Sequence, residues 1–458
     1  MGFNSSLYSR QASFSASLRH KLSFLSEAMS SGKEEEEMTV GVVAEASSSS
    51  ENETASIRGP PDVEPPPDGG FAWVQVFVGH LALFNTFGWF NSYGIFQDYY
   101  TEELHLPLSA ISWTGSVQVF LLACIGMFSG RLFDAGYFRS LIAIGSVLQL
   151  LAVFMASLAT QYWQLFLAQG VCGGLGAGIL YCPIIACVST YFSKKRALAI
   201  ALVTSGGATG GTIFPIIAQQ LPDKVGFPWT MRVMGFVVMF NAAIMLAFAR
   251  TRLPPRPRGP LVEWAAFSEL PYTLYTAGAF CLLWGVYLIY NYINHFGRVV
   301  LGMDASTSLN TLFIANAVGI PGRIIPALVS DAYLGPFRTL VPLAIGSSVL
   351  YFGWIGVRDP SSLYVFAVLC GLINGGVQTI AMTGLPALTN DLSKVGTRSG
   401  MIMTIGSFAC LTGPPVAGAL IDVADGSYLY MQIWAGCIMF LSACFVAASW
   451  FARSKVST

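Results

Sequence analysis

The chain has 458 residues, of which 54% are hydrophobic and 10% charged, with a net charge of zero and 47 glycines. Soluble domains carry about 25% charged residues, so this composition describes a protein with many membrane spans. Zero net charge removes the electrostatic case for nucleic acid. The nine cysteines, all inside apolar stretches without CxxC spacing, do not form a disulfide or metal framework.

Residues 1–67 are rich in Ser and Glu, with an acidic run from Glu34 to Glu37, a serine tract from Ser47 to Ser50 and a closing proline cluster. So little apolar surface cannot offset chain entropy, and a disordered tail is expected. Its first 26 residues share only their composition with a transit peptide, and Met1-Gly2 with Ser6 fits an acylation pattern that a multi-span protein does not need.

Order is predicted to begin at Pro67-Asp68-Gly69-Gly70-Phe71-Ala72-Trp73, where Asp68 suits a helix cap and Trp73 the water interface. The first span runs from Trp73 to Phe96, with His80, Phe84, Phe87 and Asn91 at helical spacing on one face. Apolar segments near 109–129, 140–158, 163–191, 197–220, 229–249, 272–296, 307–330, 339–356, 362–388, 397–421 and 428–451 bring the total to twelve. Loops are short apart from Arg250 to Pro271, which divides the spans six and six. The expected units are therefore a cytoplasmic tail (1–67), a six-helix bundle (68–250), a cytoplasmic linker (251–271), a second six-helix bundle (272–452) and a short cytoplasmic tail (453–458).

If the first tail is cytoplasmic, fourteen Lys and Arg residues of the remaining chain fall on the cytoplasmic side and four (Lys224, Arg232, Arg298, Arg358) opposite, the bias expected of a positive inside. A shift of 202 residues superposes Tyr162 on Tyr364, Gly173-Gly174 on Gly375-Gly376, Arg196 on Arg398, Ser205 on Ser407 and Gly211 on Gly413. Repeated halves of this kind place a binding site between them, near the bilayer midplane.

Arg323 is the only Lys or Arg predicted at mid-span, and no Asp or Glu is placed there. A cation inside hydrocarbon is costly and needs a partner, so the missing anion is expected to arrive with the substrate; the alternative is a brace on helix carbonyls. In the seventh span Trp284, Tyr287, Asn291 and Asn294 form an aromatic and amide stripe suited to a planar ligand. Asn316 shares the face of Arg323, and Asn374 and Gln378 lie one turn apart in the tenth span. Each of these amides is equally suited to an interhelical hydrogen bond, and the Gly-rich runs Gly173 to Gly178 and Gly206 to Gly211 read as packing faces.

The Pro-Asp-Gly-Gly-aromatic-x-Trp opening resembles that of the monocarboxylate porter family, within the major facilitator superfamily. The loop from Gly130 to Arg139 resembles the superfamily's gating motif, with Asp134 and Arg139 as the acid and base, and Asp331 and Arg338 recur in the second half. Such pairs would latch the inward end. The resemblance covers residues 68 to about 452 and is nearest the fungal branch, whose members are assigned to carboxylates, a vitamin or secondary-metabolite gene clusters. It implies carriage of a small organic acid with a proton. Animal members have a lysine and an aspartate where this chain has Asn91 and Gly319, so a carboxylate for proton coupling is missing; His80 is the remaining candidate, and uniport needs none.

The expectation is an all-α integral membrane protein of the major facilitator fold, in the plasma membrane or an internal one such as the vacuole, with both termini cytoplasmic. It is expected to carry a small, anionic molecule by alternating access, contacted by Arg323, Asn91, Trp284, Tyr287, Asn291, Asn316, Asn374 and Gln378, without cofactor, metal or obligate protein partner. Efflux of a fungal secondary metabolite is the alternative, and a non-transporting nutrient sensor a rival of another class. Catalysis is not expected, because no nucleophile with a base appears in the spans.

Overall fold

The computed structural model describes residues 66–93, 96, 100, 108–254, 261–389 and 394–456. The predicted tail up to residue 65, part of the first interspan loop, and Arg256 and Arg258 of the linker lie outside the described residues.

An apolar stretch of about 20 residues satisfies its own backbone in a bilayer as a helix, and the described stretches are helical. Helix α1 is Ala72–Leu83, continued by a π turn (Phe84–Gly88) and a further turn, Trp89–Asn91. Helix α2 is Leu108–Cys124 extended by Gly126–Asp134, α3 is Phe138–Ala156, α4 is Tyr162–Tyr191, α5 is Arg196–Gln220 and α6 is Phe227–Phe248. In the second half α7 runs Leu270–Val299 with a break at Tyr287, followed by α8 (Ala305–Val329), α9 (Gly335–Trp354), α10 (Pro360–Ala387), α11 (Val395–Val423) and α12 (Leu429–Val456).

Ten runs among the described residues are long and apolar enough to cross a membrane. One of them, Ser306–Trp354, is two spans, α8 and α9, folded back at Gly335, whose φ of 71° only glycine adopts readily. The other addition is α1, whose apolarity is diluted by Gln75, His80 and Asn85. All three are hydrogen-bonded within the bundle, Gln75 to the carbonyl of Phe248 and Asn85 to the amide of Asn241. The total is the predicted twelve.

An even number of spans brings Pro66 and α12's last turn to the same end of the bundle, here called proximal. The Gly-rich runs pack helices: a β-carbon at Gly210 of α5 would stand 2.5 Å from the Phe84 carbonyl oxygen of α1, and one at Gly322 of α8 would stand 2.6 Å from the Gly371 carbonyl oxygen of α10. All nine cysteines are free.

Candidate functional site

Arg323 sits in α8 between Pro321 and Pro326 and is 3% exposed. Its Nη2 donates to Oε1 of Gln378 at 3.3 Å, while Nε and Nη1 are buried without a hydrogen-bond partner among the described residues. An ionised guanidinium with two unused donors in a low-dielectric interior is a demand for an acceptor. Gly319, one turn earlier, makes room for it: a β-carbon there would meet Nη1 at 2.7 Å.

The guanidinium faces a cavity of about 30 Å³ between the two halves. The first half contributes Leu83, Phe87 and Asn91 of α1, Tyr181 of α4, and Thr204 and Gly207 of α5; the second contributes Leu282, Leu283 and Tyr287 of α7, Arg323, and Gln378 and Met382 of α10. Two polar contacts cross between the halves beside it. The Tyr181 hydroxyl donates to Sδ of Met382 at 2.9 Å, and the hydroxyls of Thr204 and Thr379 share a hydrogen bond of 2.8 Å.

Of the residues expected at the site, the fold gathers Arg323, Asn91, Tyr287 and Gln378 around this cavity. It does not gather the others. The stripe from Trp284 to Asn294 assumed an unbroken helix, and α7 breaks at Tyr287. Trp284 instead packs edge-on against Trp434 of α12 with centroids 5.3 Å apart, and Asn291 is exposed away from the cavity. Asn316 donates to the Leu312 carbonyl of its own helix at 3.1 Å, and Asn374 accepts from the hydroxyl of Ser347, joining α10 to α9. His80 is held between the Leu202 carbonyl, 2.8 Å from Nδ1, and the Thr209 hydroxyl, 3.1 Å from Nε2, off the cavity wall in the α1–α5 contact. Tyr181, Thr204 and Met382 were not anticipated.

The proximal end is tied by carboxylates on helix starts. Asp331, just past α8, accepts the N–H of Ala197 (2.9 Å) and Leu198 (2.8 Å) in the first turn of α5. Asp134, ending α2, accepts the N–H (3.2 Å) and hydroxyl (3.1 Å) of Thr397 in the first turn of α11. Each acid thus serves the opposite half, satisfying orphan amide groups where the helix dipole is positive. The basic members of the motif lie elsewhere. Arg139 donates to the Leu246 carbonyl at 3.2 Å, and the Arg338 guanidinium lies over the Trp450 ring, 5.1 Å from its centroid.

Three further acids were misjudged or missed. Asp68 does not cap α1. At φ 48° it turns back to accept the N–H groups of Ser193, Lys194 and Lys195 at 2.8–3.2 Å, in the loop before α5. Burial alone would raise its pKa, but these three donors outweigh it and the pKa falls below the usual value. Glu263 and Glu269, at either edge of a 3₁₀ turn (Trp264–Ser268), grip Arg398 at the start of α11 with contacts of 2.6–3.1 Å, and Lys394 adds a bond to Glu263 at 2.8 Å. The hydrogen bond from Arg398 is the main cause that lowers the Glu263 pKa, against burial and with help from Lys394.

The Major Facilitator Superfamily model matches residues 79–362. An MFS-type transporter of Gibberella zeae is 42% identical over 420 residues, covering 91% of this chain and 95% of its own length. The aspyridones efflux protein of Emericella nidulans is 35% identical over 383 residues, covering 83% and 78%. Among solved structures, the human organic anion transporter MFSD10 superposes with a TM-score of 0.65 at 16% identity, covering 83% of this chain and all of that one. FucP in its outward conformation gives 0.62 at 14%, covering 82% and 98%. With twelve helices in two pseudo-repeats, a cavity between them and relatives of this length and identity, the chain belongs to the Major Facilitator Superfamily and is a transmembrane transporter of small molecules.

Proposed function

We propose that this transporter exports a fungal secondary metabolite that carries an acidic group, and that Arg323 binds that group. The observation that carries the reading is the buried guanidinium with Nε and Nη1 unpaired in the cavity between the halves. Among the described residues no carboxylate lines that cavity, so the counter-charge comes with the cargo. The efflux role named for the relative from Emericella nidulans supports export as the direction.

Carriage of a small monocarboxylate is the second reading, favoured by the Pro67 to Trp73 opening and by Arg323 itself. In both readings the helix-start acids Asp134 and Asp331 hold the proximal end shut and release as the halves rock. The basic bias supports a cytoplasmic location for that end, for the linker and for both termini. The plasma membrane is the location that export requires.

The test is flux. Inside-out vesicles from cells expressing the full chain should accumulate acidic metabolites extracted from a fungal culture, and Arg323→Gln should lose them. Accumulation of neutral metabolites alone, unaffected by Arg323→Gln, would overturn the proposal.

A further inference from the structure

The first bundle encloses a further cavity, apart from the one that Arg323 faces. It measures about 20 Å³ and is walled by Asn85 and Trp89 of α1, Gln118 of α2, Gln149 of α3, and Gln169 and Gly173 of α4, with apolar side chains of α3 and α6 closing it. Inside a helix bundle in hydrocarbon a polar side chain without a partner costs free energy, yet three glutamines from three spans meet here. Gln118, Gln149 and Gln169 are 3%, 6% and 1% exposed. Asn85 is satisfied, because it accepts from Asn241 and donates to the Val238 carbonyl at 3.4 Å. The glutamines are not. Among the described residues, Oε1 of Gln118, Oε1 of Gln149 and Nε2 of Gln169 are buried without a hydrogen-bond partner. The Tyr100 hydroxyl donates to Oε1 of Gln169 at 3.1 Å, which leaves Nε2 of that side chain as a donor.

The backbone makes room for these amides. Gln169 lies in the π turn Phe166–Cys172 of α4 and Asn85 in the π turn Phe84–Gly88 of α1, so both helices leave regular α geometry where they border the cavity. Gly173 follows directly, and a β-carbon there would stand 3.4 Å from Nε2 of Gln118.

We propose that this cavity holds one water molecule, which donates to Oε1 of Gln118 and Oε1 of Gln149 and accepts from Nε2 of Gln169. The wall presents two acceptors and one donor, and water can answer all three at once. A buried water typically makes about three hydrogen bonds and needs about 10–15 Å³ of such space, so the cavity has room for one and none for an organic cargo. A metal cation would take oxygen ligands alone, whereas Gln169 presents the hydrogens of Nε2 and, among the described residues, no carboxylate lines the wall. The water joins α2, α3 and α4, a polar tie within the first bundle that is independent of the Arg323 site.

Radiolytic footprinting of the full chain in nanodiscs tests this, because X-rays generate hydroxyl radicals from water where it is bound. Trp89 lines the cavity and is buried, while Met231 and Met234 of α6 are fully buried in the apolar cluster that includes Trp89. Bound water predicts that Trp89 is oxidised several times faster than either methionine, and equally slow oxidation of all three would overturn the proposal. Thermal melting gives an independent sign. A carbonyl satisfied by water loses a hydrogen bond in Gln118→Leu or Gln149→Leu, so each variant should melt a few degrees lower. An unsatisfied carbonyl is itself a penalty, so a higher melting temperature in both variants would mean a dry cavity and overturn the proposal. A melting temperature that rises when choline chloride is replaced by sodium chloride, with the rise lost in Gln118→Leu, would put a cation in place of the water and overturn it too.

Discussion

Asp331, just past the end of α8, accepts the backbone N–H of Ala197, the second residue of α5, at 2.9 Å, and so fastens the second half of the molecule to the first. Asp134 does the converse for Thr397 of α11. The same device is used twice with the halves exchanged, as repeated bundles facing each other across a pseudo-twofold axis would have it. A carboxylate on a helix start is a strong but directional tie, and a small rotation of the halves breaks it.

Loss of a side-chain cap costs about 0.5–2 kcal/mol, so Asp134→Ala or Asp331→Ala should raise the population open at the proximal end by roughly 2- to 30-fold. Cys182 reports this opening, because its thiol is buried against the Gly396 carbonyl beside the Asp134 contact. In a protein with the other cysteines replaced, alkylation of Cys182 should accelerate by that factor in either variant. An unchanged rate in both would show that the acids do not hold the end shut.

The Glu263 clasp on Arg398 should depend on pH in one direction. Its pKa is held below the unfolded value, so its contribution is complete above that value, about 4.3, and is lost as the pH falls through the lower folded value. Pepsin should therefore leave the segment around Trp264 intact near pH 5 and nick it increasingly as the pH falls below about 4. Glu263→Gln should be nicked already at pH 5; equal cleavage of both proteins there would mean the clasp does not order the linker.

Gly319 and Arg323 should respond as a pair. Gly319→Ala places a methyl where Nη1 now lies, and displacing the guanidinium should weaken an acidic probe by about tenfold, the loss of roughly one charged hydrogen bond. Gly319→Asp supplies an internal counter-ion instead. It should abolish binding of the acid at neutral pH and restore part of it when the carboxylate is protonated, giving a pH dependence that the natural chain lacks.

His80 bridges α1 and α5 rather than facing the cavity, so His80→Gln should lower thermal stability by a few degrees and leave the pH profile of transport unchanged. A flattened profile would return His80 to the proton path.

Much of this architecture was legible because a bilayer allows few solutions. Twelve apolar runs, a 202-residue repeat and one arginine without a carboxylate follow from the cost of burying charge and backbone, and the fold reproduces them. The acids of the gating loops were also legible, since Asp134 and Asp331 end their helices at equivalent places. Their partners were not: backbone N–H groups leave no trace in a sequence, so Arg139 and Arg338 stood out in place of Ala197 and Thr397. The stripe through Trp284 failed for a similar reason. Helical periodicity carries through the break at Tyr287, at which only Gly285 hints, and the structure sets Trp284 against Trp434 of α12 and Asn291 off the cavity. Asn316, bonded to its own helix, and Asn374, which accepts from Ser347 of α9, illustrate that a buried amide also finds partners within the bundle.

The most direct measurement is uptake of acidic metabolites into proteoliposomes by the natural chain and by Arg323→Gln and Arg323→Lys. Saturable uptake that is lost in Arg323→Gln, and partly kept in Arg323→Lys because the charge survives without the planar fork, is the predicted result. Full uptake by folded Arg323→Gln would mean that the guanidinium braces the bundle and that the cargo binds without it.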